Sequence, residues 1–187
     1  MPVHGKLIAI ERDGTLNQLP EDFMRSPDDW VPVPGALEAV ARLNQAGWRV
    51  VVYSSQAGLA RGLFDMSTVN EVHSRMHKRM AEVGARVEAV FFCPHLPDEP
   101  CDCKQQDSGL LKQIAVRTGT PPPLMVVAGG TIPYLKLARH LGCETHLVLA
   151  GRASNDGQAS LPEGIEVHAD LMSLVDALLG QTAAGET

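Results

Sequence analysis

Lys6-Leu7-Ile8-Ala9-Ile10-Glu11-Arg12-Asp13-Gly14-Thr15-Leu16-Asn17 is the stretch on which the fold turns. Its first half, Lys6–Glu11, is short, apolar and rich in β-branched residues, and a turn-forming Asp-Gly pair follows it at once. This reads as a buried strand that ends by presenting two carboxylates, Glu11 and Asp13.

Working outward, the same alternation repeats along the chain. Ala36–Gly47 has helical spacing and a terminal glycine. Trp48–Ser55 is a strand. A capping box at Thr68–Glu71 opens a helix running to about Gly84. Glu88–Cys93 is a strand, Gly109–Thr118 a helix and Leu124–Gly130 a strand. Pro133–Leu141 is helical, with proline near its first turn. Thr145–Ala150 is a strand, Ile165–His168 a last edge strand and Asp170–Leu179 the last helix. Such β-α alternation predicts an α/β fold, a mostly parallel sheet covered by helices on both faces in three layers, with the first strand central. The proline-rich connection Asn17–Gly35 reads as an ordered loop over the carboxyl edge, and Ala150–Gly164 as a polar loop. Residues from about 180 to 187 read as a flexible tail.

A length of 187 residues suits one domain over the whole chain. A net charge of -6 without any basic run argues against nucleic acid or an anionic membrane as partner. No apolar run approaches membrane-spanning length, and no h-region precedes the first strand. The clustered cysteines suit a reducing compartment, so the chain is expected in the cytoplasm. Cys143 stands apart and reads as a small core residue.

Ligands of parallel sheets bind outside the carboxyl ends of the strands, so the strand exits carry the functional reading. The third exit is Cys93-Pro94-His95-Leu96-Pro97-Asp98-Glu99-Pro100-Cys101-Asp102-Cys103. Cys93, His95, Cys101 and Cys103 supply three thiolates and an imidazole, the closed tetrahedral shell of structural zinc. A redox pair or a disulfide loop is the alternative. The first exit holds Glu11 and Asp13, and the second runs from Ser54 through Ser55, Gln56 and Gly58 to Arg61 and Gly62. The fourth is Ala128-Gly129-Gly130-Thr131. The histidines His4, His73, His77, His140, His146 and His168 read as packing or surface groups; the i,i+4 pair His73/His77 reads as an exposed helix face. Trp30 and Trp48 read as packing groups.

Taken together, Arg-Asp-Gly-Thr-Leu-Asn after the first strand, Gln-x-Gly-Leu-Ala-Arg-Gly after the second, and Cys-Pro-His with Cys-Asp-Cys after the third resemble the haloacid-dehalogenase superfamily. Within it, the chain resembles the D-glycero-D-manno-heptose 1,7-bisphosphate 7-phosphatases and the related histidinol-phosphate phosphatases. The resemblance spans roughly Lys6 to Leu149. It implies a Rossmann-like fold without a large cap domain, a structural zinc loop at 93–103, and magnesium-dependent hydrolysis of a phosphomonoester. It also implies an aspartate nucleophile, an acid/base aspartate two residues on, a Ser/Thr, a lysine, and acidic magnesium ligands after the fourth strand.

Position by position, the nucleophile is Glu11, the acid/base is retained as Asp13, and the hydroxyl is Ser54. Ser55 stands where asparagine is usual. Arg61 and its loop are kept. The motif lysine is Gln105, preceded by Lys104 at a position that is usually arginine. The two acidic positions after the fourth strand are Gly130 and Tyr134. A glutamate displaces its carboxylate by about 1 Å, which can cost about a hundredfold in rate. Loss of the lysine and of hard oxygen ligands removes the positive charge that phosphoryl transfer needs, leaving Glu11 and Asp13 facing each other with too little of it. The expectation is a pseudophosphatase in which Glu11 and Asp13 are catalytically degenerate and magnesium is not used. Ser54, Ser55, Arg61 and Lys104 could still hold a phosphate or sugar phosphate, and a protein partner is a further possible ligand. Two other readings stand beside it. One is an active phosphatase with an atypical Glu11/Asp13 centre. The other is a zinc-stabilised structural or regulatory protein with no small-molecule site.

Overall fold

The protein is described by a computed structural model at residues 6–19, 23–96, 98–101, 103, 109–151 and 163–184. Six strands, β1 (Leu7–Glu11), β2 (Arg49–Ser55), β3 (Ala89–Cys93), β4 (Met125–Gly129), β5 (Glu144–Val148) and β6 (Glu166–His168), form one sheet in the order β3-β2-β1-β4-β5-β6. All five strand pairs are parallel. The helices are α1 (Ala36–Gln45), α2 (Ala57–Ala60), α3 (Met66–Glu82), α4 (Gly109–Thr118), α5 (Ile132–His140) and α6 (Leu171–Ala184).

Strand alternation sorts the core into two layers. Ile8, Ile10, Val50, Val52, Val126 and Ala128 point to one face, where they meet α1, α3 and α6. Leu7, Ala9, Val51, Tyr53, Met125 and Val127 point to the other, against α4 and α5. Burying each Leu or Ile side chain contributes about 1.5–3 kcal/mol, so both faces must be covered for such apolar strands to be stable. Trp30 and Trp48 are both buried in the first layer, as expected. The chain passes from one side of β1 to the other between β3 and β4, which makes the crevice between β1 and β4 the switch point of the sheet.

Three expectations need correction. The long helix is capped by Asp65, not by a box at Thr68: the Asp65 carboxylate accepts the Thr68 N–H at 2.9 Å, which starts the helix one turn earlier. The last helix runs on to Ala184, so residues 180–184 are helical and only 185–187 of the supposed tail lie outside the described residues. The exit of β2 forms a short helix, α2, that its composition did not announce.

Candidate functional site

Glu11 has the same strand parity as Leu7 and Ala9, so its side chain falls on the α5 side of the sheet. In register it lies opposite Tyr53 of β2. It is 6% exposed. Its carboxylate turns towards the end of β4 and the start of α5. There Oε2 accepts the N–H of Gly130 at 2.7 Å and of Thr131 at 3.1 Å, and Oε1 accepts the Thr131 hydroxyl. Thr131 is the residue that precedes α5 and makes no side-chain cap of its own. Glu11 therefore serves as a cap from another strand, placing negative charge at a helix N-terminus. The fit is close: a Cβ at Gly129 would lie 2.6 Å from Glu11 Oε2, 2.7 Å from Tyr53 Oη and 2.8 Å from Glu11 Cβ. Gly129→Ala is expected to lower stability by about 1–3 kcal/mol in denaturant unfolding, because a backbone-tethered methyl cannot be moved aside.

Asp13 lies across the same edge and is held by different donors. Arg12 grips it with two bonds, Nε to Oδ1 and Nη2 to Oδ2, each 3.0 Å. Asn17 Nδ2 donates to Oδ1 at 3.1 Å and Gln56 Nε2 to Oδ2 at 3.4 Å. The expected confrontation of two poorly neutralised carboxylates is thus corrected. A buried arginine, 1% exposed, neutralises Asp13, and backbone amides and a hydroxyl bind Glu11.

Ser54 is buried, and its Oγ accepts from Gln56 Nε2 at 3.2 Å, so Gln56 joins Ser54 to Asp13. Ser55 is exposed. Arg61 is exposed too, with its guanidinium 5.5 Å from the Phe23 ring centroid, a cation–π distance. Lys104 and Gln105 lie outside the described residues. The structure therefore gathers Glu11, Asp13 and Ser54 at one edge. To these it adds Arg12, Gln56, Thr131 and His73, which the sequence reading did not assign.

His73 corrects the expectation of an exposed helix face. Its Nε2 lies 3.0 Å from Arg12 Nη1 and its ring lies against Phe92. Burial, then the neighbouring Arg12 charge, lowers its pKa to about 4. The ring is consequently neutral in the folded state at pH values where the unfolded chain protonates it. The unfolded state binds more protons between about pH 4 and 6.5, so stability rises with pH across that window and the penalty is complete below it. His73→Gln is expected to flatten this slope in urea midpoints measured from pH 4 to 7, by at most about 3 kcal/mol.

Tyr134, at a position where the resemblance implies an acid, is buried beside Tyr53 with ring centroids 4.5 Å apart. Burial and then the Glu11 charge raise its pKa well above the usual phenol value. Magnesium takes near-octahedral oxygen coordination, usually from one or two carboxylates with several waters. At this edge the Glu11 carboxylate is engaged by amide and hydroxyl donors, Asp13 is engaged by a guanidinium, and positions 130 and 134 carry no carboxylate. Among the described residues, this edge therefore offers the ion two carboxylates, Glu11 and Asp13, both already engaged by donors.

The cluster after β3 does fit a metal. Cys93 Sγ lies 3.8 Å from Cys101 Sγ and 3.2 Å from Cys103 Sγ, and Cys101 and Cys103 are 3.7 Å apart. His95 Nδ1 lies 3.1 Å from Cys103 Sγ and 3.9 Å from Cys93 Sγ. A tetrahedral ion with metal–sulfur bonds of about 2.3 Å has sulfur–sulfur edges of about 3.8 Å. All four cysteines are free thiols, so the disulfide reading is not met. Desolvation, then the neighbouring thiols, pushes Cys103 up to about 12. Three crowded thiols ionise readily only with a cation among them. Cys143 is buried and pushed up to about 11 by that burial, consistent with an inert core residue.

No family model matches the chain. The D-glycero-beta-D-manno-heptose-1,7-bisphosphate 7-phosphatase of Bordetella bronchiseptica is 42% identical over 175 residues, covering 93% of this chain and 98% of that protein. The Pseudomonas aeruginosa protein of the same name is 37% identical over 173 residues, covering 92% and 97%. Among solved structures, the B. bronchiseptica D,D-heptose 1,7-bisphosphate phosphatase complexed with magnesium and phosphate matches with a TM-score of 0.87 at 41% identity, covering 94% and 99%. With nearly full-length likeness in both sequence and fold, the chain belongs to the D-glycero-β-D-manno-heptose-1,7-bisphosphate 7-phosphatase family of the haloacid-dehalogenase superfamily.

Proposed function

We propose that this chain is a pseudophosphatase: a member of the heptose-bisphosphate phosphatase family that has given up magnesium-dependent phosphoryl transfer while keeping a zinc-clamped scaffold. One observation carries the reading. The Glu11 carboxylate accepts the N–H groups of Gly130 and Thr131 and the Thr131 hydroxyl, and so acts as the cap of α5. A nucleophile needs a free lone pair aimed at phosphorus, in line with the leaving oxygen. A carboxylate bound by amides at a helix N-terminus is turned to a structural task instead.

Zinc is held by Cys93, His95, Cys101 and Cys103, where it closes the loop after β3. The ligand of the cleft is a phosphate or sugar phosphate, in line with the phosphate bound by the B. bronchiseptica relative. Ser54, Ser55 and Arg61 meet it at the β2 exit, with Lys104, which lies outside the described residues, as the further cation of the reading. Charge-assisted hydrogen bonds from Arg and Lys would bind the anion without any bond being broken.

The test is phosphate release from D-glycero-β-D-manno-heptose 1,7-bisphosphate with magnesium, alongside calorimetric titration of inorganic phosphate. Binding without turnover is the expected result. Robust magnesium-dependent turnover that disappears in Glu11→Ala would overturn the proposal.

A further inference from the structure

The cysteine cluster lies at the β3 edge of the sheet; a second group of ligand atoms lies at the opposite edge. β5 and β6 pair in parallel with His146 beside Glu166 and Val148 beside His168. Glu144 and His146 share a face of β5, as Glu166 and His168 share one of β6, and the pairing brings these faces together. His146 Nδ1 lies 3.1 Å from His168 Nε2. Glu166 Oε2 lies 3.7 Å from the first nitrogen and 3.8 Å from the second.

Two features of this triangle point to a shared ion rather than to hydrogen bonds alone. Glu166 Oε2 is nearly equidistant from both nitrogens and outside hydrogen-bond reach of either. A tetrahedral metal with bonds of about 2.0–2.2 Å to nitrogen and oxygen would set its ligand atoms about 3.3–3.5 Å apart, close to the three edges seen. The second feature is independent of the triangle. His146 Nε2 lies 2.9 Å from Glu144 Oε1, so Nε2–H donates to that carboxylate. This fixes the tautomer and leaves Nδ1, 3.1 Å from His168 Nε2 and 3.7 Å from Glu166 Oε2, as the ring nitrogen with the lone pair. A carboxylate behind the far ring nitrogen is the usual support of a metal-binding histidine.

The surroundings agree. His146 and His168 side chains are 3% and 10% exposed, whereas Glu166 is 60% exposed, so the nitrogens are sheltered and the carboxylate faces solvent. The Glu144 and Glu166 carboxylates beside these rings supply negative charge that a divalent cation would balance.

We propose that His146 Nδ1, His168 Nε2 and Glu166 Oε2 form a second metal site for a divalent first-row transition ion of the zinc type, with Glu144 as the positioning residue. Mixed imidazole and carboxylate ligands suit such an ion and not magnesium. Three protein ligands leave at least one position for water or an exogenous ligand. Two of the three come from the short edge strand β6, so the ion clips that strand, and α6 after it, to β5.

The test is calorimetric titration of the purified full chain with zinc sulfate, with His168→Gln, Glu166→Gln and Glu144→Gln in parallel. The unmodified chain is expected to bind one more zinc per chain than His168→Gln, and its melting temperature to rise as that equivalent is added. Glu166→Gln should weaken the site at least tenfold. Glu144→Gln should weaken it about 10–100-fold without touching the ion, through loss of ring orientation. Equal zinc stoichiometry in the unmodified chain and His168→Gln, with both folded by circular dichroism, would overturn the proposal. So would an unmodified chain that takes up no zinc beyond its cysteine cluster, which is the outcome expected of a plain histidine–histidine hydrogen bond and needs no variant to observe.

Discussion

Combining Glu11→Asp, Gln105→Lys and Gly130→Asp is expected to create magnesium-dependent turnover on the order of a hundredfold above any of the three single variants, each of which should remain as inert as the unmodified chain. The physical reason is that nucleophile, cation and metal ligand act as one unit, and effects within such a unit are strongly non-additive. Glu11→Asp alone shortens the side chain and withdraws the carboxylate from the N–H groups of Gly130 and Thr131. It should therefore cost about 1 kcal/mol of stability and return no activity. Gly130→Asp alone adds a second carboxylate beside Glu11 with no ion to separate them. Only together do a retracted nucleophile, a fresh oxygen ligand and a lysine reconstruct the balance of charge. Tyr134, buried against Tyr53, fills the remaining acidic position of the family. A quadruple variant with Tyr134→Asp separates steric blockage from a mistaken alignment: if the triple variant is silent and the quadruple one turns over, the tyrosine was the obstacle. Silence of both would show that these four positions do not account for the proposed inactivity.

Removal of the cysteine-cluster zinc is expected to be the most destabilising perturbation of the chain. Purified protein should hold about one zinc per chain that survives dialysis against a mild chelator, while an ion at the proposed β5–β6 site should exchange. Cys103→Ser breaks a closed shell whose apparent binding free energy in small zinc modules is about 10–16 kcal/mol. Here the sheet has its own core, so only the loop after β3 and the end of that strand depend on the ion. A loss of about 3–5 kcal/mol, or roughly 10 °C in melting temperature, is the expected size for a chain of this length. Cys143→Ser, placed in the apolar layer beside Leu135 and Ala138, should cost about 1–3 kcal/mol through burial of a hydroxyl. Elemental analysis and thermal unfolding decide the matter. A metal-free preparation that melts with zinc-loaded protein would sink the structural role, as would a disulfide among Cys93, Cys101 and Cys103.

Much of this molecule was legible in the chain itself. Apolar periodicity of two or of about 3.6 residues is a local property, so the strands and long helices follow from it. The parallel sheet then follows from the alternation of the two. The cysteine cluster was legible because its four ligands fall within one loop. The start of α3 was misjudged because Asp65 and Thr68 can each begin a helix. The choice depends on which one the preceding turn delivers to the first free N–H.

What only tertiary structure decided is how residues distant in sequence share donors. The family resemblance sets Glu11 at an aspartate position and Gly130 at another acidic one. It does not show that the first carboxylate spans the crevice to the amides beside the second, because that contact depends on the β1–β4 pairing and on the bare Cα of Gly129. Arg12 carried no role in the sequence reading; folding buries it between Asp13 and His73. His146, Glu166 and His168 were unremarkable singly and become a ligand set only through the β5–β6 register. Periodicity and loop motifs are written along the chain. Long-range electrostatic partnership is set by strand order and register, which only the folded molecule supplies.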